Sequence, residues 1–332
     1  MFDRLARLSL STPCALSLLS AALLAACGGG GDSGSAEPLS NNDATSYAAN
    51  ASVVGSDATG ALDTTLLTAT QLVPGSVGAA GVVNGREQAQ AVSTGALTCA
   101  GGGTATLSID GPTPANWING RLDADEVYQI SYNQCRGAAG QAALNGDVTM
   151  TVLSASSNSA GSTTSVNFST TNLTAVLPRG TASFNGNVAV QRTVTVVGNT
   201  SSVSTHVTST SFVVTTNFNN RTSVFTLGNV DLTRQASFAG SVLQSTSHTG
   251  SHTLSAVLPN LRYSYSVATQ GGTVFDANGL PTQGGWVITL PRRTVTITVA
   301  GSNATIAIDD GNNGSIDRSF TVPIAALAAG AG

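Results

Sequence analysis

Along most of this chain, apolar and polar positions alternate with a period of two. The pattern is plain at residues 104–109, 127–132, 147–152, 193–197, 211–214 and 294–299. A strand points successive side chains to opposite faces, so each run predicts a strand with one face on a core. Asn145-Gly146, Asn185-Gly186 and Asn278-Gly279 punctuate the runs. Asn-Gly is the strongest short hairpin signal, because both residues tolerate the left-handed backbone of a tight turn. Strands joined in this way are antiparallel neighbours. The expectation is an all-β fold, mainly an antiparallel meander, forming a curved open sheet or partly closed barrel, with a β-sandwich as the alternative. No helical pattern stands out after residue 100. Upstream, Leu62, Leu66, Leu67 and Val73 line one side of a short helix, against a background of Thr and Gly that disfavours it.

An internal repeat underlies the alternation. Residues 173–178 (LTAVLP) recur as 254–259 (LSAVLP), 81 residues later. A Gly-(Asp/Asn)-Val step appears at Gly146, Gly186 and Gly228, so its first and last copies are separated by nearly the same offset. Two landmarks sharing one offset indicate duplication, about residues 146–190 and 228–272. Pro178 and Pro259 are expected to end strands, since proline cannot donate to a central ladder.

The N-terminus follows other rules. Residues 1–7 carry two arginines, 8–26 are apolar or small and uncharged, and Leu24-Ala25-Ala26-Cys27 opens onto four glycines. A basic segment, an apolar segment and a small-residue cleavage site make an export signal. An uncleaved membrane anchor of about 19 residues is the alternative that length alone allows. With Cys27 at the cut, the segment closely resembles the lipobox of bacterial lipoproteins. That resemblance implies cleavage before Cys27, a diacylglycerol on its thiol and an acyl chain such as palmitate on the new amine. Gly28 after the cysteine implies the outer membrane, facing either the periplasm or the outside. The domain reading is a signal peptide at 1–26, a Gly/Ser/Asn tether at 27–50, an N-terminal segment of uncertain structure at 51–95, and an all-β domain at 96–325.

Composition narrows the function. Charged residues are 9% of the 332, every basic one is Arg, and the net charge is −4. Nucleic-acid binding needs a basic stripe, and these thirteen arginines are scattered, so no nucleic-acid partner is expected. With Cys14 removed and Cys27 acylated, Cys99 and Cys135 remain. In an exported protein such a pair forms a disulfide, stabilising by roughly 3–4 kcal/mol, the alternative being a catalytic thiol, with no His in that half of the chain. The stretch 99–152 also resembles a module of uncharacterised bacterial lipoproteins. It matches in Cys99 with Gly101-Gly102, the turn Asn119-Gly120-Arg121-Leu122, a strand ending at Cys135, and Leu144-Asn145-Gly146. The resemblance brings no activity, but implies a disulfide tying the two strands of one hairpin.

Candidate chemistry is sparse. Asp309, Asn313 and Asp317 flank Gly314 with partial calcium-loop spacing, but Gly311 and Phe320 stand where two ligands belong. A plain Asx-rich turn accounts for the same residues, so calcium is the one candidate cofactor and otherwise none is expected. The turn before Glu126 has similar grammar but lacks its first two ligands. His248 and His252 share a strand face without an evident third metal ligand, and exposed strand histidines are the ordinary reading of these and of His206. No nucleophile elbow, Lys-dependent dyad or phosphate loop is present. Trp117, Trp286, Tyr132, Tyr263 and Tyr265 offer rings for sugar stacking, with core packing as the ordinary account. The expectation is a non-catalytic, lipid-anchored envelope protein with a structural or surface-interaction role toward a protein, glycan or lipid. The alternatives are a carrier holding an apolar ligand in a curved sheet, and a hydrolase with an unrecognised site.

Overall fold

Among the described residues, fifteen antiparallel strands form one sheet in which, after the first two, each strand lies beside the next in sequence. The computed structural model describes residues 38–73, 92–93, 96–111, 121–137, 142–177, 180–218, 221–240, 242–258, 261–276 and 280–329. The signal segment, Cys27, Trp117, Asn119-Gly120 and Asn278-Gly279 lie outside them. Two short strands, β1 (Val92–Ser93) and β2 (Leu97–Thr98), both pair with β3 (Thr104–Asp110), followed by β4 (Val127–Cys135). Seven long strands come next: β5 (Ala143–Asn158), β6 (Gly161–Leu177), β7 (Gly180–Val197), β8 (Thr200–Phe218), β9 (Arg221–Ala239), β10 (Val242–Leu258) and β11 (Leu261–Phe275). The sheet finishes with β12 (Pro281–Leu290), β13 (Arg293–Ala300), β14 (Asn303–Asp309) and β15 (Arg318–Pro323). It is an open, curved meander: β1 and β15 are its edges and do not meet. The barrel and sandwich alternatives fall away. Gly146, Gly186 and Gly228 sit in β5, β7 and β9, one hairpin apart.

Asn145-Gly146 and Asn185-Gly186 are not hairpin turns. They lie inside β5 and β7, at bulges where the ladder shifts register. Similar shifts occur in β4–β5 after Tyr132, in β6 after Thr170, in β9–β10 after Ser251 and in β11–β12 after Gln270. An extra residue in a strand flips the parity of its faces. Buried positions in β6 accordingly move from 166, 168 and 170 to 173 and 175, and in β8 from 203, 205 and 207 to 212, 214 and 216. Asn side chains satisfy the amides this leaves unpaired: Asn145 Oδ1 accepts from Gln134 N at 2.8 Å, and Asn185 Oδ1 from Asn172 N at 2.6 Å. A row of bulges therefore crosses the sheet, and bulges bend strands and raise their twist.

The sheet curves around a helix. α1 (Asn41–Leu72) starts at Ser40, whose Oγ accepts from Asp43 N at 3.1 Å. Its first ten residues fall within the expected tether, and most of its length within the segment of uncertain structure. Both readings are corrected by burial: Ala44, Ala48, Ala51, Val54, Ala58, Leu62, Leu66 and Ala69 are all buried against the sheet. These positions recur every three or four residues as one stripe, but most of them are alanine, so the stripe contrasts little with the Ala, Ser, Thr and Gly around it and the helix sinks close to the sheet. Its threonines satisfy their hydroxyls on the preceding turn; Thr59 and Thr65 donate to Gly55 O and Ala61 O. At 1.5 Å per residue the helix is about 48 Å long, enough to span the roughly 38 Å across the nine strands β7–β15. It crosses them in reverse order. Its first turn meets β14–β15, Tyr47 meets β11, Gly55 meets β10, and Asp63 meets β7–β9. A second short helix, α2 (Ile324–Ala329), follows β15 and packs on α1, although no helix was expected after residue 100. No helix among the described residues is long and apolar enough to cross a membrane.

Candidate functional site

The loop with calcium-like spacing binds the protein itself. Asp309 Oδ2 accepts from Gly314 N at 2.8 Å, and its Oδ1 from Gly311 N and Asn313 N. Against a desolvation push upward, these backbone donors hold its carboxyl below the usual range. Asn313 Oδ1 accepts from Ser315 N and Asp317 Oδ2 from Asp310 N. The three candidate ligands are thus engaged as in an Asx-rich turn, and no cluster of three or more metal-ligating side chains exists among the described residues. Asp310, beside them, anchors the helix. Its Oδ1 accepts from Leu39 N at 3.2 Å and pairs with Arg293 at 3.2 Å, while Oδ2 lies 3.6 Å from Arg318 Nε.

A second polar anchor sits under the middle of α1. Asp63 Oδ1 accepts from Thr205 Oγ1 at 2.7 Å and Arg192 Nε at 3.1 Å, and Oδ2 from Arg234 Nη1 at 3.1 Å. One carboxylate thereby holds β7, β8 and β9 to the helix. Sequence reasoning missed it because its members lie 129 to 171 positions apart and form no motif. His248 and His252 belong to the same interface and correct the expectation of exposed histidines: they are only 8% and 4% exposed. His248 Nδ1 lies 3.3 Å from Thr59 Oγ1 and its ring packs edge-on against Phe275. His252 lies against Gly55, and neither ring nitrogen has a hydrogen-bond partner. Burial lowers the His248 pKa to about 3, with the Arg234 charge adding to it, and burial lowers that of His252 to about 4.

Other candidates fall into structural places. Cys99 and Cys135 are disulfide-bonded with Cα atoms 5.5 Å apart; Cys99 lies in the connection between β2 and β3, so the bridge ties that turn to the end of β4 rather than joining two strands of one hairpin. Glu126 is buried, its Oε2 accepting from Tyr128 OH at 2.6 Å and Asp123 N at 2.8 Å. Burial, then the bond to Glu126, raises the Tyr128 pKa. Trp286, Tyr132 and Tyr265 are buried, and Tyr263 stacks on Tyr265 beside Tyr47. His206 faces outward, Nε2 2.9 Å from Asp231 Oδ1.

The face away from α1 carries the open surface. At the bulge row on β5–β9 it holds a shallow groove of about 670 Å³. Asn167, Ser169, Asn187, Thr208 and Asn229 line it together with apolar Phe168, Val188, Ala189 and Val230, and a second groove continues it through Ser131, Asp147 and Thr149. Alternation explains the chemistry, because the strands turn most of their apolar residues to the core side and leave mainly Ser, Thr and Asn outside. No protein-family model matches the chain, and no curated protein or solved structure matches it significantly.

Proposed function

We propose that this chain is a lipid-anchored protein of the outer membrane, attached through Cys27, with a non-catalytic, structural or surface-interaction role. The supporting observation is the filling of the concave side of the sheet. Leu62, Leu66, Val54 and the alanines of α1 pack there against Val207, Leu232, Ile297 and Ile306 in one continuous core. A carrier needs that trough for its ligand, so the packed helix favours a scaffold over a carrier. What the scaffold offers is its outer face, a broad array of hydroxyl and amide groups suited to neutral polar partners. The hydrolase reading gains no support from His206 and Asp231, whose 40% and 70% exposed side chains leave their hydrogen bond open to water.

Mass spectrometry of the protein purified from its native membrane tests the anchor. The expected N-terminus is a triacylated Cys27, and an intact Met1 overturns the proposal. Protease treatment of whole cells then separates a body outside the cell from one in the periplasm.

A further inference from the structure

The apolar side chains left exposed by the fold are not scattered. Among the described residues eight large ones are exposed, and four of these lie at the ends of two adjacent hairpins: Val197 at 70%, Val242 at 61%, Val196 at 42% and Leu243 at 40%. Strand register arranges them in two rows. Val197, Thr200, Ala239 and Val242 are cross-strand neighbours, and so are Val196, Ser201, Phe238 and Leu243. Adjacent residues of a strand point to opposite faces, so one row lies on each side of the sheet. No charged residue occurs in 193–205 or 235–247. Backbone bonds hold the hairpin ends together: Val196 N donates to Ala160 O and Gly240 N to Asn199 O, each at 2.8 Å.

We propose that this rim of the sheet, formed by the β7–β8 and β9–β10 hairpin ends, docks into the surface of a lipid bilayer. Two features select lipid over protein. A folded partner covers one face of a sheet, whereas these aliphatic side chains project from both faces, which only a fluid partner wets together. Four partly exposed aliphatic side chains also present on the order of 300 Å² of apolar surface, well short of the roughly 800 Å² per partner of a stable protein interface. Without charge, the rim has no ion to desolvate on entering the headgroup region, and its Ser and Thr hydroxyls suit that polar layer. Its affinity therefore depends on neither anionic lipid nor salt. The inference goes beyond an acyl anchor and holds without one.

The test uses the chain from Gly28 onward, which lacks the apolar segment 8–26, Cys14 and Cys27, so that neither a leader nor an acyl group can bind lipid and no other free thiol remains; the compact unit Leu39–Gly332 is kept whole. An environment-sensitive fluorophore is placed at Asn199→Cys in the rim, or at exposed Thr305→Cys on β14 as the reference. With vesicles of uncharged phosphatidylcholine, the label at 199 is expected to shift to the blue and brighten several-fold, at low and high salt alike. The label at 305 is expected to remain unchanged. Adding Val197→Asp and Val242→Asp, both at well-exposed positions, should abolish the shift while circular dichroism stays that of the parent. Equal shifts at 199 and 305 overturn the proposal, as does a shift that needs anionic lipid or survives the two aspartates. So does light scattering that shows a dimer dissociated by those aspartates, since the rim is then a contact between copies.

Discussion

His248 and His252 show how one residue type takes its properties from its surroundings. Both are buried beneath α1, and the Arg234 charge also acts on His248. Above about pH 7.5 each is neutral whether the chain is folded or not, so neither makes stability depend on pH there. As pH falls, the unfolded chain takes up protons near 6.5, while the folded chain resists until about 4 for His252 and about 3 for His248. The unfolded state binds more protons across that window, and stability is lost progressively through it. By pH 5 the loss is about 2 kcal/mol per histidine, at about 1.4 kcal/mol per unit of pKa. Urea unfolding at pH 7.5 and pH 5 should reveal it, with His252→Leu reducing the difference between the two pH values by about that amount. An unchanged difference refutes the buried, neutral assignment. The i, i+4 spacing of these histidines was visible in sequence, and so was their shared face. Their burial was not, because the helix that covers them lies almost 200 positions away.

At the scale of the element, the bulges are what let strands of up to 19 residues belong to a curved sheet. Gly250 shows the constraint: it has φ +121°, and an added Cβ would lie 2.0 Å from Asp231 O. Gly198, in the β7–β8 turn, has φ +60° with open space around it. Gly250→Ala should therefore cost more than about 3 kcal/mol, combining backbone strain with a collision against main chain that cannot yield, whereas Gly198→Ala should cost about 1 kcal/mol. Comparable melting temperatures for the two variants would refute a special role for the bulge row. The alternation announced the strands and their antiparallel order well. It misjudged Asn145-Gly146 and Asn185-Gly186, because the left-handed backbone that suits a hairpin turn also suits a bulge. α1 was nearly illegible for a related reason. Most of its buried stripe is Ala among Thr and Gly, so only its C-terminal turns, through Leu62, Leu66 and Val73, showed an apolar side in the sequence.

The compact unit Leu39–Gly332 is a sheet organised around α1, and its two ionic anchors, at Asp310 and Asp63, fix where that helix lies. Asp63→Asn leaves Arg192 and Arg234 facing each other without their shared carboxylate, and should cost about 3 kcal/mol in chemical denaturation. Replacing Arg192 by Met as well should recover part of the loss, because one of the two opposed cations is gone. The dependence goes further than one ion pair. Strands β7–β14 turn their apolar faces toward α1, so without it the inner face would be bare and the curved sheet would lack a core. A chain lacking residues 1–73 is therefore expected to show no cooperative unfolding and to bind a hydrophobic dye strongly. A synthetic peptide of residues 38–73, added in trans, should restore both the cooperative transition and low dye binding. The same peptide with Asp63→Asn should do so only at higher concentration, because it keeps the apolar packing but loses the anchor. A truncated chain that melts cooperatively as a monomer would show instead that the meander closes a core of its own, and that α1 is cladding.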